Sequence, residues 1–188
     1  MDGATESRRA TWLSAVSAGL QAGMLGVCWM LLWLGVSAVL QGRSFWTAEN
    51  LMASAFYGEG AIHSGFAGRT LSGLALYLLI YSVLGALFAM AVRDRLPRLR
   101  VFLVSLLFGL SWYYLSFGLL WKSVMPLVAL LHSAQPTSLG HVIYGAVLGR
   151  YPVYLPKPPA PPITADAGVE APAAEPSVSE TRSETPEP

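Results

Sequence analysis

The chain has 188 residues, 54% of them hydrophobic and only 12% charged, with a net charge of +1; soluble domains carry about 25% charged residues. That balance excludes a basic nucleic-acid surface. The single cysteine, Cys28, excludes an intrachain disulfide and a cysteine-based metal cluster.

The apolar residues are gathered into four long stretches without Asp, Glu, Lys or Arg: between Arg9 and Arg43, Thr70–Val92, Val101–Trp121 and Ser123–Gly149. A helix needs about 20 apolar residues to cross ~30 Å of hydrocarbon. The expected fold class is therefore an all-α integral membrane protein. It comprises a cytoplasmic N-terminus (1–11), a four-transmembrane-helix bundle (12–155) and a disordered C-terminal tail (156–188).

Ser7-Arg8-Arg9 before an apolar run has the outline of a twin-arginine signal. The run is too long for a signal core and no small-x-small site closes it, so it reads as a retained helix. This first helix covers 12–40, ~43 Å at 1.5 Å per residue, and must tilt or emerge. Cys28 falls inside it and reads as a buried, inert thiol. In the loop 41–69, Thr47 is placed to cap a short helix ending at Tyr57, with Gly58 as its stop. Trp46, Phe56 and Tyr57 suit a headgroup-level anchor.

The second helix is expected over 70–92, with Tyr77 and Tyr81 on one face, and the third over 101–121, with Tyr113 and Tyr114. The turn between them holds Arg93, Asp94, Arg95, Arg98 and Arg100. Pro126 and Pro136 interrupt the last stretch. Pro favours a helix start, so the fourth helix is placed over 136–154, ending near a snorkelling Arg150. Residues 125–132 then form a surface or re-entrant segment. From Pro156 onward Pro, Ala, Glu, Ser and Thr dominate, a composition unable to offset its own ordering entropy.

With four spans, Arg8, Arg9, Arg93, Arg95, Arg98, Arg100, Arg150 and Lys157 fall on one side, against Arg43, Arg69 and Lys122 on the other. The positive-inside rule makes both termini cytoplasmic. A duplicated hairpin is also legible. Gly26, Trp29, Leu32 and Gly35 align without gaps on Gly109, Trp112, Leu115 and Gly118. Leu84-Gly85 aligns on Leu148-Gly149, setting Tyr77 opposite His141. Halves related this way form a parallel repeat.

Gly19-x-x-x-Gly23, Gly145-x-x-x-Gly149 and Ser105-x-x-x-Gly109 permit close backbone approach. With Gly26, Gly35, Gly109 and Gly118 they are the expected packing positions, either closing the bundle or building an interface with a second protein. His141 is the leading candidate for chemistry, since an ionisable group inside a span is a functional hypothesis by default. It shares a face with Tyr144 and Gly145, and Tyr77 and Tyr81 are its expected polar companions.

Haem ligation by two histidines lacks a second histidine inside a span. His63, His132 and Glu59 show no metal-binding spacing, so no cofactor or metal is expected. No carboxylate lies inside a span, which argues against a cation-coupled carrier.

The run Gly140-His141-Val-Ile-Tyr144-Gly145-Ala-Val-Leu-Gly149 resembles the last-helix signature of small bacterial YagU-like inner-membrane proteins. The resemblance covers about ten residues and implies an inner-membrane protein without an assigned reaction, with His141 and Tyr144 as residues of interest. The leading expectation is a non-enzymatic accessory or oligomeric membrane subunit acting by helix association, with the lipid bilayer, a second copy or another membrane protein as partner. The alternatives are a small carrier or channel for a neutral or weakly polar solute, and a membrane redox or enzyme subunit.

Overall fold

The computed structural model describes residues 2–62, 65–92 and 96–156, with side chains from residue 12 onward. His63, the 93–95 part of the arginine-rich turn, the side chains of Arg8 and Arg9, and the tail from Lys157 lie outside the described residues. Every regular element among the described residues is helical. In chain order these are α1 (Asp2–Leu40), α2 (Thr47–Tyr57), α3 (Gly68–Val92), α4 (Arg98–Leu115), α5 (Trp121–Val124), α6 (Pro126–Leu131) and α7 (Ala134–Leu148). A π turn, Ser116–Leu120, joins α4 to α5. Short 3-10 turns follow α2 and α7.

Three helices are long and apolar enough to cross a membrane: Trp12–Leu40, Gly68–Val92 and the continuous Arg98–Val124. The last two extend beyond the charge-free stretches that predict them. A charge such as Arg69 or Arg98 ends the hydrocarbon-compatible part of a helix without ending the helix.

The fourth differs from expectation. α7 stops at Leu148 and is 15 residues long, ~22 Å at 1.5 Å per residue. Pro152 explains the stop, because its ring would collide with the Leu148 carbonyl and it has no N–H to offer it. Pro126 separates α5 from α6 in the same way and begins α6.

α1 packs along α3 on one side and α7 on the other, and α7 packs along α4. α3 and α4 meet only slightly, with Phe88 against Phe108 at 5.2 Å between ring centroids. Both close crossings are backbone on backbone. A methyl group on Gly19 would come within 2.5 Å of the Gly85 carbonyl and 2.7 Å of Ala89 Cβ. A methyl on Gly23 would meet the Tyr81 carbonyl at 2.5 Å. In the other pair, Gly145 faces the Ser105 carbonyl at 2.5 Å, Gly149 faces Ser105 Oγ at 2.6 Å, and Gly109 faces the His141 carbonyl.

The small-residue pairs therefore close the bundle itself. Among the other expected packing positions, Gly26 meets the Tyr144 ring and Gly35 the Phe45 ring, whereas Gly118 faces open space on the outer surface. Gly118 is thus no packing position: the π turn carries it away from the neighbouring helices. Cys28 also differs from expectation, lying exposed on α1. The outward faces of the long helices are apolar as well, with Leu79, Leu107 and Leu119 all exposed. Leucine outside as well as inside is the pattern of helices solvated by lipid.

Candidate functional site

The segment between α1 and α3 folds back over one end of the bundle. Its short helix runs over Thr47–Tyr57, and Gly58 stops it at φ 59°, a left-handed conformation that glycine adopts at no steric cost. Thr47 is the first helical residue rather than the cap, and its hydroxyl donates to the Ser44 carbonyl at 2.5 Å. α2 rests directly on α3, since a side chain at Gly73 would run into the Glu49 carbonyl. Thr70 Oγ1 donates to Asn50 Oδ1 at 2.7 Å and accepts from the Ala67 N–H at 3.0 Å, tying the loop to the start of α3. α6 packs against α2 and completes the cover.

Beneath this cover lies a cavity of about 40 Å³, room for a few water molecules. Ser37, Gln41, Arg43, Tyr77, His132 and Thr137 supply its polar lining, and Phe117 from the π turn closes one wall. Arg43 Nη2 donates to Ser133 Oγ and, at 3.2 Å, to Gln41 Oε1; Ser133 Oγ donates to the same Gln41 oxygen at 3.2 Å. These three residues join the end of α1 to the start of α7. Outside them a larger cleft of about 690 Å³ lies along α2 and α6. Arg43, Thr47, Leu51 and Leu131 line both spaces.

The floor of the cavity leads to the histidine. Thr137 lines the cavity, and its carbonyl accepts a hydrogen bond from His141 Nδ1 at 2.7 Å. A carbonyl only accepts, so Nδ1 carries the proton. In the neutral ring Nε2 is then the acceptor, and the Tyr81 hydroxyl donates to it at 2.7 Å. Tyr144 Oη donates to the Tyr81 carbonyl at 2.8 Å. Tyr77 extends the cluster, its ring 5.8 Å from that of Tyr81, and Tyr113 and Phe117 flank His141 at 5.3 and 5.9 Å. His141, Tyr77, Tyr81 and Tyr144 are all buried.

The structure thus brings together the polar residues read from the sequence. Tyr114, by contrast, points outward. The chain matches no family model, and no curated protein or solved structure is similar to it.

Sequence reasoning passed over Glu49. It is 2% exposed, and its Oε2 has no hydrogen-bond partner among the described residues. Burial pushes its pKa up to about 7, a rise partly offset by its own backbone N–H. The signal in the sequence was only a carboxylate in the first turn of a short helix, which ordinarily faces water. Among the described residues no group of three His, Cys, Asp or Glu side chains is placed to hold a metal ion.

Proposed function

We propose that this protein is a four-helix, multi-pass bundle of the bacterial inner membrane that binds a small, weakly polar solute at its α2/α6 end and carries it. The observation that carries this reading is the hydroxyl-lined cavity at Arg43, Gln41 and Ser133, whose lining residue Thr137 accepts a hydrogen bond from His141, itself paired with Tyr81. Within the cavity the solute meets the hydroxyl groups of Ser37, Tyr77 and Thr137. α7 provides the fourth crossing, with the Tyr151–Tyr154 turn completing the passage. The excess of Arg and Lys at the opposite end then puts both termini in the cytoplasm and the cavity outside.

The two crossings support an internal duplication. Gly19 and Gly23 of α1 meet Gly85 and Ala89 of α3 in the manner in which Ser105 and Gly109 of α4 meet Gly145 and Gly149 of α7. This register sets Tyr81 opposite His141, whereas the alignment of Leu84-Gly85 on Leu148-Gly149 sets Tyr77 there. The contact register is the better guide because it aligns the backbone approaches that hold each hairpin together.

Solute flux into proteoliposomes tests the carrier reading. Flux is expected to fall by tenfold or more in His141→Ala and in Tyr81→Phe; flux unchanged in both removes the proposed site.

A second reading, an accessory subunit, has its own support. Within its most apolar window the Arg98–Val124 helix is 28% buried, against 50% for Trp12–Leu40 and 44% for Gly68–Val92. The small-residue pairs no longer favour association, because they are occupied inside the bundle. Purification from native membranes distinguishes the two readings, since a stoichiometric membrane partner would favour the subunit.

A further inference from the structure

We propose that the cleft along α2 and α6 binds a zwitterion with an apolar stem, its anionic group on Arg43 and its ammonium on Glu59. The inference deepens the solute-binding reading above and rests on it. The cleft, about 690 Å³, falls in the ordinary size range of small-molecule sites, roughly 300–1,000 Å³. Among the described residues Arg43 and Glu59 are the charged side chains of its wall, and Leu51, Leu127, Leu130 and Leu131 supply apolar surface. Arg43 bonds only uncharged partners, Gln41 and Ser133. Among the described residues no ion pair neutralises either charge of the cleft. Arg69, the nearest cation in sequence to α3's start, is engaged by the Gly60 carbonyl and does not line the space.

Arg43 and Glu59 line one apolar-walled cleft, which therefore offers both signs of charge to a ligand. A simple anion drawn to Arg43 is repelled by Glu59, and a simple cation suffers the reverse. A zwitterion satisfies both, and its stem covers the leucines. Arg43 also lines the inner cavity, so the anionic group of the bound ligand sits on a residue common to both spaces. The same chemistry is offered by a free apolar amino acid and by an ethanolamine phospholipid headgroup.

The test uses the full chain in a non-ionic maltoside, with thermal unfolding followed by tryptophan fluorescence. L-leucine, 4-methylpentanoate and 3-methylbutylamine share a stem and differ in charge. Leucine is expected to raise the unfolding temperature while the two singly charged analogues do not. Arg43→Gln and Glu59→Gln are each expected to weaken binding about tenfold, and Arg43→Lys to retain most of it. A silent leucine, with phosphatidylethanolamine kept through delipidation by the wild type and lost from both variants, supports the zwitterion and makes the lipid its source. Analogues that bind as well as leucine, or variants that bind either zwitterion unchanged, overturn the proposal. Binding without flux upholds the cleft and removes the carrier reading; flux indifferent to both substitutions overturns the zwitterion site and leaves the carrier reading standing.

Discussion

The middle of the bundle and its α2/α6 end are built on opposite terms. In the middle, backbones touch at Gly19, Gly23, Gly85, Gly109 and Gly145, and the His141, Tyr81 and Tyr144 polar atoms are hydrogen-bonded. At the α2/α6 end there is a cavity, a wide cleft lined by an arginine and a glutamate, and a buried carboxylate oxygen without a partner among the described residues. A region whose histidine and tyrosine polar atoms are paired and whose backbones touch has little to gain from a ligand. A region with unsatisfied groups and open volume does, so binding is expected at the end and rigidity in the middle.

The sharpest way to break this contrast is to place bulk at a crossing. Gly85→Leu drives a side chain into the Gly19 carbonyl and Gly23 Cα, neither of which is a flexible tip that can move aside. A loss of about 3 kcal/mol or more is expected, read as failure to fold or a collapse of the unfolding temperature in mild detergent. A well-folded Gly85→Leu protein would mean that α1 and α3 do not cross there.

The next effect belongs to the end. The Glu49 pKa is raised to about 7 in the folded chain from an ordinary 4.5. The native state therefore binds the proton more tightly than the unfolded one. The stabilisation is fully present below about pH 4.5 and is lost as pH rises through 7. At 1.36 kcal/mol per pKa unit its span is on the order of 3 kcal/mol. Glu49→Gln keeps the shape and removes the titration, so its unfolding temperature is expected to exceed the wild type's at pH 8 and to vary less between pH 5 and 8. An identical pH profile for the two proteins would show that Glu49 is hydrated.

A smaller effect is expected at the histidine. Tyr81→Phe deletes the donor to His141 Nε2 and leaves a buried acceptor alone, a loss of about 1–3 kcal/mol. Adding Tyr81→Phe to His141→Ala is expected to cost less than the separate losses together, because either change alone already breaks the bond. Full additivity in that double-mutant cycle would separate the two residues.

These three sites differ in how far they were legible in the sequence, for physical reasons. The spans were legible because hydrocarbon excludes charge, so Trp12–Leu40 reads directly. The short helix Thr47–Tyr57 was legible from its glycine stop. His141 stood out as an ionisable group in an apolar run, and Tyr77 and Tyr81 by sharing a face. The cavity was not legible, since its walls come from the end of α1, from α2, α3, the π turn, α6 and α7, and only packing brings them together. Gly85 was legible as part of the repeat but not as a packing position, because its small partner four residues on is Ala89 rather than a second glycine. Glu49 escaped because burial is a property of the fold over α2 and not of the residue.

The smallest expected effect sharpens the contrast from the other side. Gly118 carries the same sequence signal as the packing glycines, in a string that aligns on the one around Gly35, yet a Cβ there meets nothing within 4 Å. Gly118→Ala should therefore not destabilise, and helix propensity favours it by up to about 1 kcal/mol. Gly23→Ala, where the new methyl meets the Tyr81 carbonyl at 2.5 Å, should destabilise clearly. The same substitution at two helical glycines isolates backbone contact from helix propensity, because propensity favours alanine at both sites. If the two variants unfold at the same temperature, the close crossing of α1 on α3 is not what holds the bundle. Measuring them side by side in one detergent decides whether the rigid middle exists.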